Sequence, residues 1–199
     1  MGTVDYTNEV ARLCAVEAFM QPDRVQVAVP NARNILVQGL RHFIGDSAQW
    51  LPEYDAVADW LTNNDGRGLL CAGNVGRGKT VLCAKVIPCV LHACLHRIVT
   101  PFTARELGQN IDKALQSHLI LIDDIGTESE TVRYGNHIMA VPLIVDDMER
   151  RGGLLIMTTN LGYDELQAKY GLRTTDRIRA LCKVVNFAGT SLRGLKQGE

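Results

Sequence analysis

No pair among the six cysteines (Cys14, Cys71, Cys83, Cys89, Cys94 and Cys182) has the short spacing of zinc ribbons or dithiol redox motifs. Most sit in apolar runs and read as small buried hydrophobes in a reducing cytoplasm. Cys89, His92 and His96 could share one helical face as metal ligands do, although packing plus a partly exposed face accounts for the same spacing and is preferred. No apolar run approaches membrane-spanning length, and no basic start leads into an apolar N-terminal core, so neither insertion nor export is expected. Charge of one sign is also lacking: a formal net charge of −1 argues against a strongly basic, constitutive nucleic-acid binder, though not against a local basic patch. The end of the chain is an exception, with Lys169, Arg173, Arg177, Arg179, Lys183, Arg193 and Lys196 against Asp176 and Glu199. There is no internal repeat and no low-complexity tract, and 199 residues are too few for two full-sized domains.

What is present is a phosphate-binding loop pattern, Gly73-Asn74-Val75-Gly76-Arg77-Gly78-Lys79-Thr80, entered from the apolar run Leu69 to Ala72 and continued by Val81 into a helix-length apolar segment. Glycines let backbone N–H groups curl around phosphate oxygens, and the N-terminus of the next helix adds partial positive charge. In that pattern Lys79 reaches the β and γ phosphates and the Thr80 hydroxyl ligates Mg²⁺. The expected ligands are therefore ATP and Mg²⁺.

Around the loop, short apolar runs alternate with helical periods. Before it, Asn31 to Phe43 and a segment opened by Pro52 read as helices, and residues 5–19 as a further short one. Gly68 to Ala72, Arg97 to Phe102, Leu119 to Ile122, Leu154 to Thr158 and Val184 to Phe187 read as strands buried on both faces. The helix from Lys79 toward Leu95 contains Pro88, which should kink or divide it. Thr103 and Glu106 form a capping box, and Gly126 to Asn136 reads as an irregular loop. The expected fold is a three-layer α/β P-loop NTPase with a five-stranded parallel sheet. Residues 1–50 are expected as a helical N-terminal extension, and residues 51–199 as the ATP-binding domain.

Phosphoryl transfer needs a carboxylate for the metal, a group that positions water and positive charge for the transition state. Asp123 and Asp124 close the run Leu119 to Ile122 and would emerge at the C-terminal edge of the sheet, beside the phosphates. One can hold Mg²⁺ and the other can orient or activate water. Asn160, closing Thr158-Thr159, could bind the γ-phosphate or the water. Arg173, Arg177 and Arg193 are candidate cations that spacing alone does not rank.

In their order and spacing several segments resemble one family. Gly73 to Thr80, Leu121 to Glu128, Arg133 to Asn136, Thr158 to Leu161, Tyr170-Gly171, Asp176-Arg177 and Ser191 to Arg193 are similar to the DnaC and IstB branch of the AAA+ ATPases, over roughly Leu51 to Arg193. The resemblance implies that Asp123 is the Walker B metal carboxylate, Asn160 is sensor I, and Arg177 is the arginine finger acting on a neighbouring subunit's nucleotide. It also implies that Arg193 stands near the sensor II position. The implied activity is ATP hydrolysis in a cytoplasmic homo-oligomer that loads a replicative helicase during DNA replication, or one that assists a transposase. Single-stranded DNA is an implied partner.

The chain departs from the family in three ways. Asp124 stands where AAA+ proteins usually have Glu, Phe102 to Leu119 has room for one helix where relatives can carry a longer DNA-contacting insertion, and the helical lead-in is small for a helicase-binding domain; no helical lid is expected, in agreement with the lidless pattern of the branch. These departures support a competing class, a nucleotide-gated binding module with incidental turnover. A small-metabolite kinase is disfavoured for want of an arginine-rich lid insertion.

Overall fold

The computed structural model describes residues 8, 10–12, 22–133 and 136–192. The helix expected over residues 5–19 lies mostly outside that set, and so do Cys14 and Arg193. In chain order the strands are β1 (Gly68–Gly73), β2 (Thr100–Thr103), β3 (Leu119–Ile125), the short β4 (Thr131–Arg133) and β5 (Asn136–Ile138), β6 (Leu154–Thr159) and β7 (Cys182–Phe187). The helices are α1 (Ala32–Ile44), α2 (Glu53–Thr62), α3 (three consecutive segments, Lys79–Val81, Leu82–Val86 and Ile87–Leu95), α4 (Ala104–Leu107), α5 (Ile111–Gln116), α6 (Ala140–Arg151), α7 (Tyr163–Tyr170) and α8 (Leu172–Leu181).

Strand side chains alternate between faces, so a strand buried on both sides must be apolar throughout. β1 does this: Leu69 and Cys71 enter one core with α1, α2 and α3, while Leu70 enters a second core with α4 to α8. The sheet order is β2-β3-β6-β1-β7, with all four pairings parallel. The expected five-stranded three-layer fold is therefore observed. Because β6 lies between β1 and β3, the loop after β1, the acids of β3 and the residue after β6 meet at one edge of the sheet.

Four local differences from the sequence expectation have physical reasons. Pro88 neither breaks nor sharply divides α3; the turn before it, Leu82–Val86, widens to a π-helix and absorbs the missing donor within a continuous helix. The supposed irregular loop after β3 contains an antiparallel hairpin, with Thr131 opposite Ile138. The short helix that the sequence suggests over Asp176 to Cys182 is longer: α8 begins at Leu172, immediately after Gly171, whose φ is 80°. Finally, the lead-in is not helical throughout. Residues 22–29 form an extended strap in which Val25, Val27 and Val29 are buried and Arg24, Gln26 and Ala28 are exposed. Asn64 fastens it: its Oδ1 accepts from Val27 N at 2.8 Å, and its Nδ2 donates to Val25 O at 2.9 Å.

Candidate functional site

The loop after β1 bends on two glycines that nothing else could replace. Gly76 and Gly78 have φ of 81° and 84°, and a Cβ on the first would collide with Ser191 Oγ and on the second with Tyr54 Oη. Residues following β7 lie across the loop and hold it. Leu192 N donates to Gly76 O at 2.9 Å, Asn74 N to Phe187 O at 2.9 Å, and Asn74 Nδ2 to Gly189 O at 2.9 Å. From the other side Tyr54 Oη donates to Arg77 O at 3.2 Å. Burial and the adjacent Glu53 push the Tyr54 hydroxyl up to about 12, so it remains a donor.

Arg77, expected among the phosphate-binding residues, turns its side chain away from the phosphate position. Its guanidinium pairs with Glu53 at 2.7 Å, with both side chains almost fully buried. Only the backbone of this residue remains for phosphate.

Lys79 does the opposite. Its Nζ donates to Gly73 O at 2.6 Å, Asn74 O at 2.8 Å and Asn160 Oδ1 at 2.9 Å. Burial lowers its pKa from the ordinary 10.5, with the nearby thiols of Cys71 and Cys83 and carboxylates of Asp124 and Asp123 opposing the shift.

The two acids occupy a bulge. Ile122 is opposite Met157 and Ile125 opposite Thr159, so Asp123 and Asp124 together face the single residue Thr158. The Thr158 hydroxyl fills that gap: it donates to Asp123 Oδ1 at 2.6 Å and accepts from Asp124 N at 2.8 Å. Asp124 is left-handed, with φ of 63°, a conformation that Asp tolerates better than most residues. Asn160 Nδ2 donates to its Oδ1 at 2.7 Å, and the Thr80 hydroxyl lies 3.2 Å from Asp123 Oδ1. Hydrogen bonds thus join Lys79, Asn160 and Asp124 in one chain, and Thr80, Asp123 and Thr158 in another.

These groups line a cavity of about 530 Å³, within the usual range for small-molecule sites. Its lining combines Gly76, Gly78, Lys79, Thr80, Asp123, Asp124, Thr158 and Asn160 with Ile44, Ser47, Ala48, Gln49, Tyr54, Val75, Val81 and Leu192. A hydroxyl and a carboxylate within hydrogen-bond distance form the hard oxygen donor set that Mg²⁺ prefers, so Thr80 and Asp123 fit the ion. Gly73, Asn74 and Arg77 border the loop without lining this cavity.

Arg177 is elsewhere. On α8 its guanidinium pairs with Asp146 and with Glu149, the latter at 2.7 Å, both on α6. Arg193 lies outside the described residues.

Sequence reasoning missed Thr158, Tyr54 and the Ile44 to Gln49 wall. The first was readable: Thr158 and Asn160 are two apart and share the strand face aimed at the site. The wall was not, because it is a turn brought to the loop by packing of α1 on α3.

The family described as Nephrocystin 3, N-terminal, matches residues 46–125, from just before α2 to the end of β3. No curated protein matches the chain by sequence. Among solved structures, a primosome component from Streptococcus pyogenes serotype M3 superposes with a TM-score of 0.52 at 18% identity, covering 83% of this chain and 85% of that one. The DnaC helicase loader gives 0.51 at 16% identity, over 81% and 93%. AMPPCP-bound DnaA from Aquifex aeolicus gives 0.51 at 14% identity, over 70% of this chain and 48% of that one. At such identities the likeness is one of fold, and it agrees with the strand order described above: the chain has a DnaC-like α/β fold with a five-stranded parallel sheet.

Proposed function

We propose that the chain is an ATPase that binds ATP with Mg²⁺ and hydrolyses it slowly unless assembled, acting in DNA replication as a loader of a replicative helicase. One observation carries the reading: Lys79, Thr80, Asp123, Asp124 and Asn160, drawn from three strand ends, converge on a single cavity. Support for the nucleotide comes from the AMPPCP-bound DnaA neighbour, and support for the partner from the DnaC helicase loader and the primosome component. The IstB-like role, assistance to a transposase, has no counterpart among these neighbours.

In this reading Lys79 exchanges the carbonyl oxygens of Gly73 and Asn74 for phosphate oxygens, a stronger charge-assisted contact. Thr80 and Asp123 would hold Mg²⁺, which supplies Lewis-acid charge stabilisation when bound. Asp124 uses one carboxylate oxygen for Asn160 Nδ2 and keeps the other as acceptor for the attacking water. Asn160, bonded to both Lys79 and Asp124, holds the phosphate contact and the water acceptor in fixed relation.

A second reading is a nucleotide-gated binding module. It is favoured by the pairing of Arg177 with Asp146 and Glu149, since an arginine so held does not line the cavity.

ATP binding and steady-state hydrolysis by wild type, Lys79→Ala and Asp124→Asn separate these readings. The expected result is loss of binding in Lys79→Ala, and retained binding with turnover about a hundredfold lower in Asp124→Asn. Binding without turnover in every form favours the module. Absence of ATP binding by the wild type overturns both. Addition of a replicative helicase, a transposase or single-stranded DNA then identifies the partner by the one that changes the rate.

A further inference from the structure

Glu128 is buried, 4% exposed, in a chain whose other carboxylates mostly face solvent or the cavity. Its three oxygens all have partners. Oε2 accepts from Gly126 N at 2.9 Å, Oε1 accepts from the Tyr170 hydroxyl, and the main-chain oxygen accepts from Lys169 Nζ at 2.8 Å. Burial and Glu128 itself raise Tyr170 far above its ordinary value, so its hydroxyl stays a donor at any working pH.

The position of this cluster gives it meaning. Gly126 is two residues past Asp124 and left-handed, with φ of 102°; a Cβ there would strike the Leu161 side chain. One residue further on, the Thr127 hydroxyl donates back to Asp124 O at 2.9 Å. Glu128 therefore closes the turn that fixes the backbone of Asp124. Lys169 and Tyr170 end α7, the helix that starts three residues after Asn160. The acid and the amide that meet at 2.7 Å in the cavity are thus joined a second time, behind it, by Glu128 and the end of α7.

A left-handed non-glycine residue such as Asp124 is strained and persists only where its surroundings over-determine it. Thr158 holds Asp124 from the strand side, and the Glu128 turn holds it from the loop side. We propose that Glu128, anchored by Tyr170, is a positioning residue for hydrolysis, acting through Asp124 rather than by touching nucleotide. The inference rests on the proposed hydrolysis at Asp124.

The test compares wild type, Glu128→Ala, Glu128→Gln, Tyr170→Phe, Asp124→Asn and the Glu128→Ala/Asp124→Asn double variant. For each, ATP affinity, kcat per folded molecule and unfolding temperature are measured. Misplacing a catalytic group by about 1 Å costs about a hundredfold, so a partial loss of the turn should lower kcat by about tenfold or more in Glu128→Ala while ATP affinity stays within about twofold. Glu128→Gln should recover most of the rate, since its oxygen can accept from Gly126 N–H and its amide can donate to the tyrosine oxygen. Tyr170→Phe should fall between the two. In the Asp124→Asn background, Glu128→Ala should cause no further loss, because the residue it positions is already gone.

Full kcat in Glu128→Ala, or an independent multiplicative loss in the double variant, overturns the proposal. If Glu128→Ala does not fold, Tyr170→Phe decides it: unchanged kcat in that variant has the same force. Failure of the hydrolysis reading is distinguishable, because the wild type itself would then show no turnover.

Discussion

Lys79 shows how a single side chain reports the state of the site. In the free protein its ammonium is buried against two carbonyls and an amide oxygen, none of them carrying a full charge, and its pKa lies below 10.5. The sign follows directly. A lysine depressed on folding lowers stability while it is charged, and that cost is relieved as pH rises from the folded pKa toward the unfolded one. Phosphate reverses the preference, because a bound polyanion favours the ammonium. Affinity for ATP should therefore decline as pH rises through the depressed pKa, earlier than an ordinary lysine would dictate. Binding titrations between about pH 7 and pH 10 will show this decline in the wild type. Lys79→Arg keeps its charge over that range and should bind more weakly but with a flat profile. A flat wild-type profile would mean that Lys79 does not meet the phosphates.

At the scale of elements, two buried polar devices set the loop and the strap. Glu53, at the start of α2, neutralises Arg77 inside the protein, so Glu53→Ala strands a desolvated guanidinium. Breaking one side of such a pair costs about 3 kcal/mol, and for a chain of this size thermal unfolding should fall by about 10 °C. Nucleotide affinity should fall with it, because Arg77 O also receives the Tyr54 hydroxyl. Asn64→Ala removes the acceptor of Val27 N and Gly66 N and the donor to Val25 O, depriving three buried backbone groups of their side-chain partner. About 2–4 kcal/mol of stability should be lost, and limited proteolysis should cut faster between residues 22 and 29. These devices also mark the limit of what the sequence revealed. The sheet was legible because β1, β3 and β6 are apolar on both faces and bounded by glycines or polar turns, and the loop because its glycines answer a backbone demand. The side-chain direction of Arg77 was not legible, since nothing in Gly-Arg-Gly-Lys says that Glu53, 24 residues earlier, will be buried beside it. The valine alternation at 25, 27 and 29 is a strand pattern, yet the segment pairs with the Asn64 side chain and single backbone groups instead of a neighbouring strand. The Asp123–Asp124 bulge depends on Thr158 filling it from β6, the third strand after β3 in sequence, a contact that no local pattern records.

For the whole molecule, the proposed function turns on Arg177, which does not line its own chain's cavity. It is three-quarters buried against Asp146 and Glu149, but those carboxylates are 50% and 38% exposed. Pairs of this kind contribute about 1 kcal/mol or less, so a phosphate presented by a second subunit can displace them. An arginine supplied in trans raises phosphoryl-transfer rates by roughly a thousandfold or more. Under the proposed function the rate per subunit should therefore rise with protein concentration, and Arg177→Ala should abolish that rise while ATP affinity is kept. A mixing experiment makes the argument stricter. Lys79→Ala has an empty site and an intact Arg177; Arg177→Ala has an intact site and no finger. Each alone should be nearly inactive. If a site is completed by its neighbour, equal amounts mixed at random should regain about a quarter of the wild-type rate per subunit, since half the subunits have sites and half their neighbours have fingers. Turnover by Arg177→Ala equal to wild type at every concentration, or no recovery in a mixture shown by light scattering to assemble, would remove the trans role of Arg177 and leave the α6–α8 ion pair as a contact within one chain.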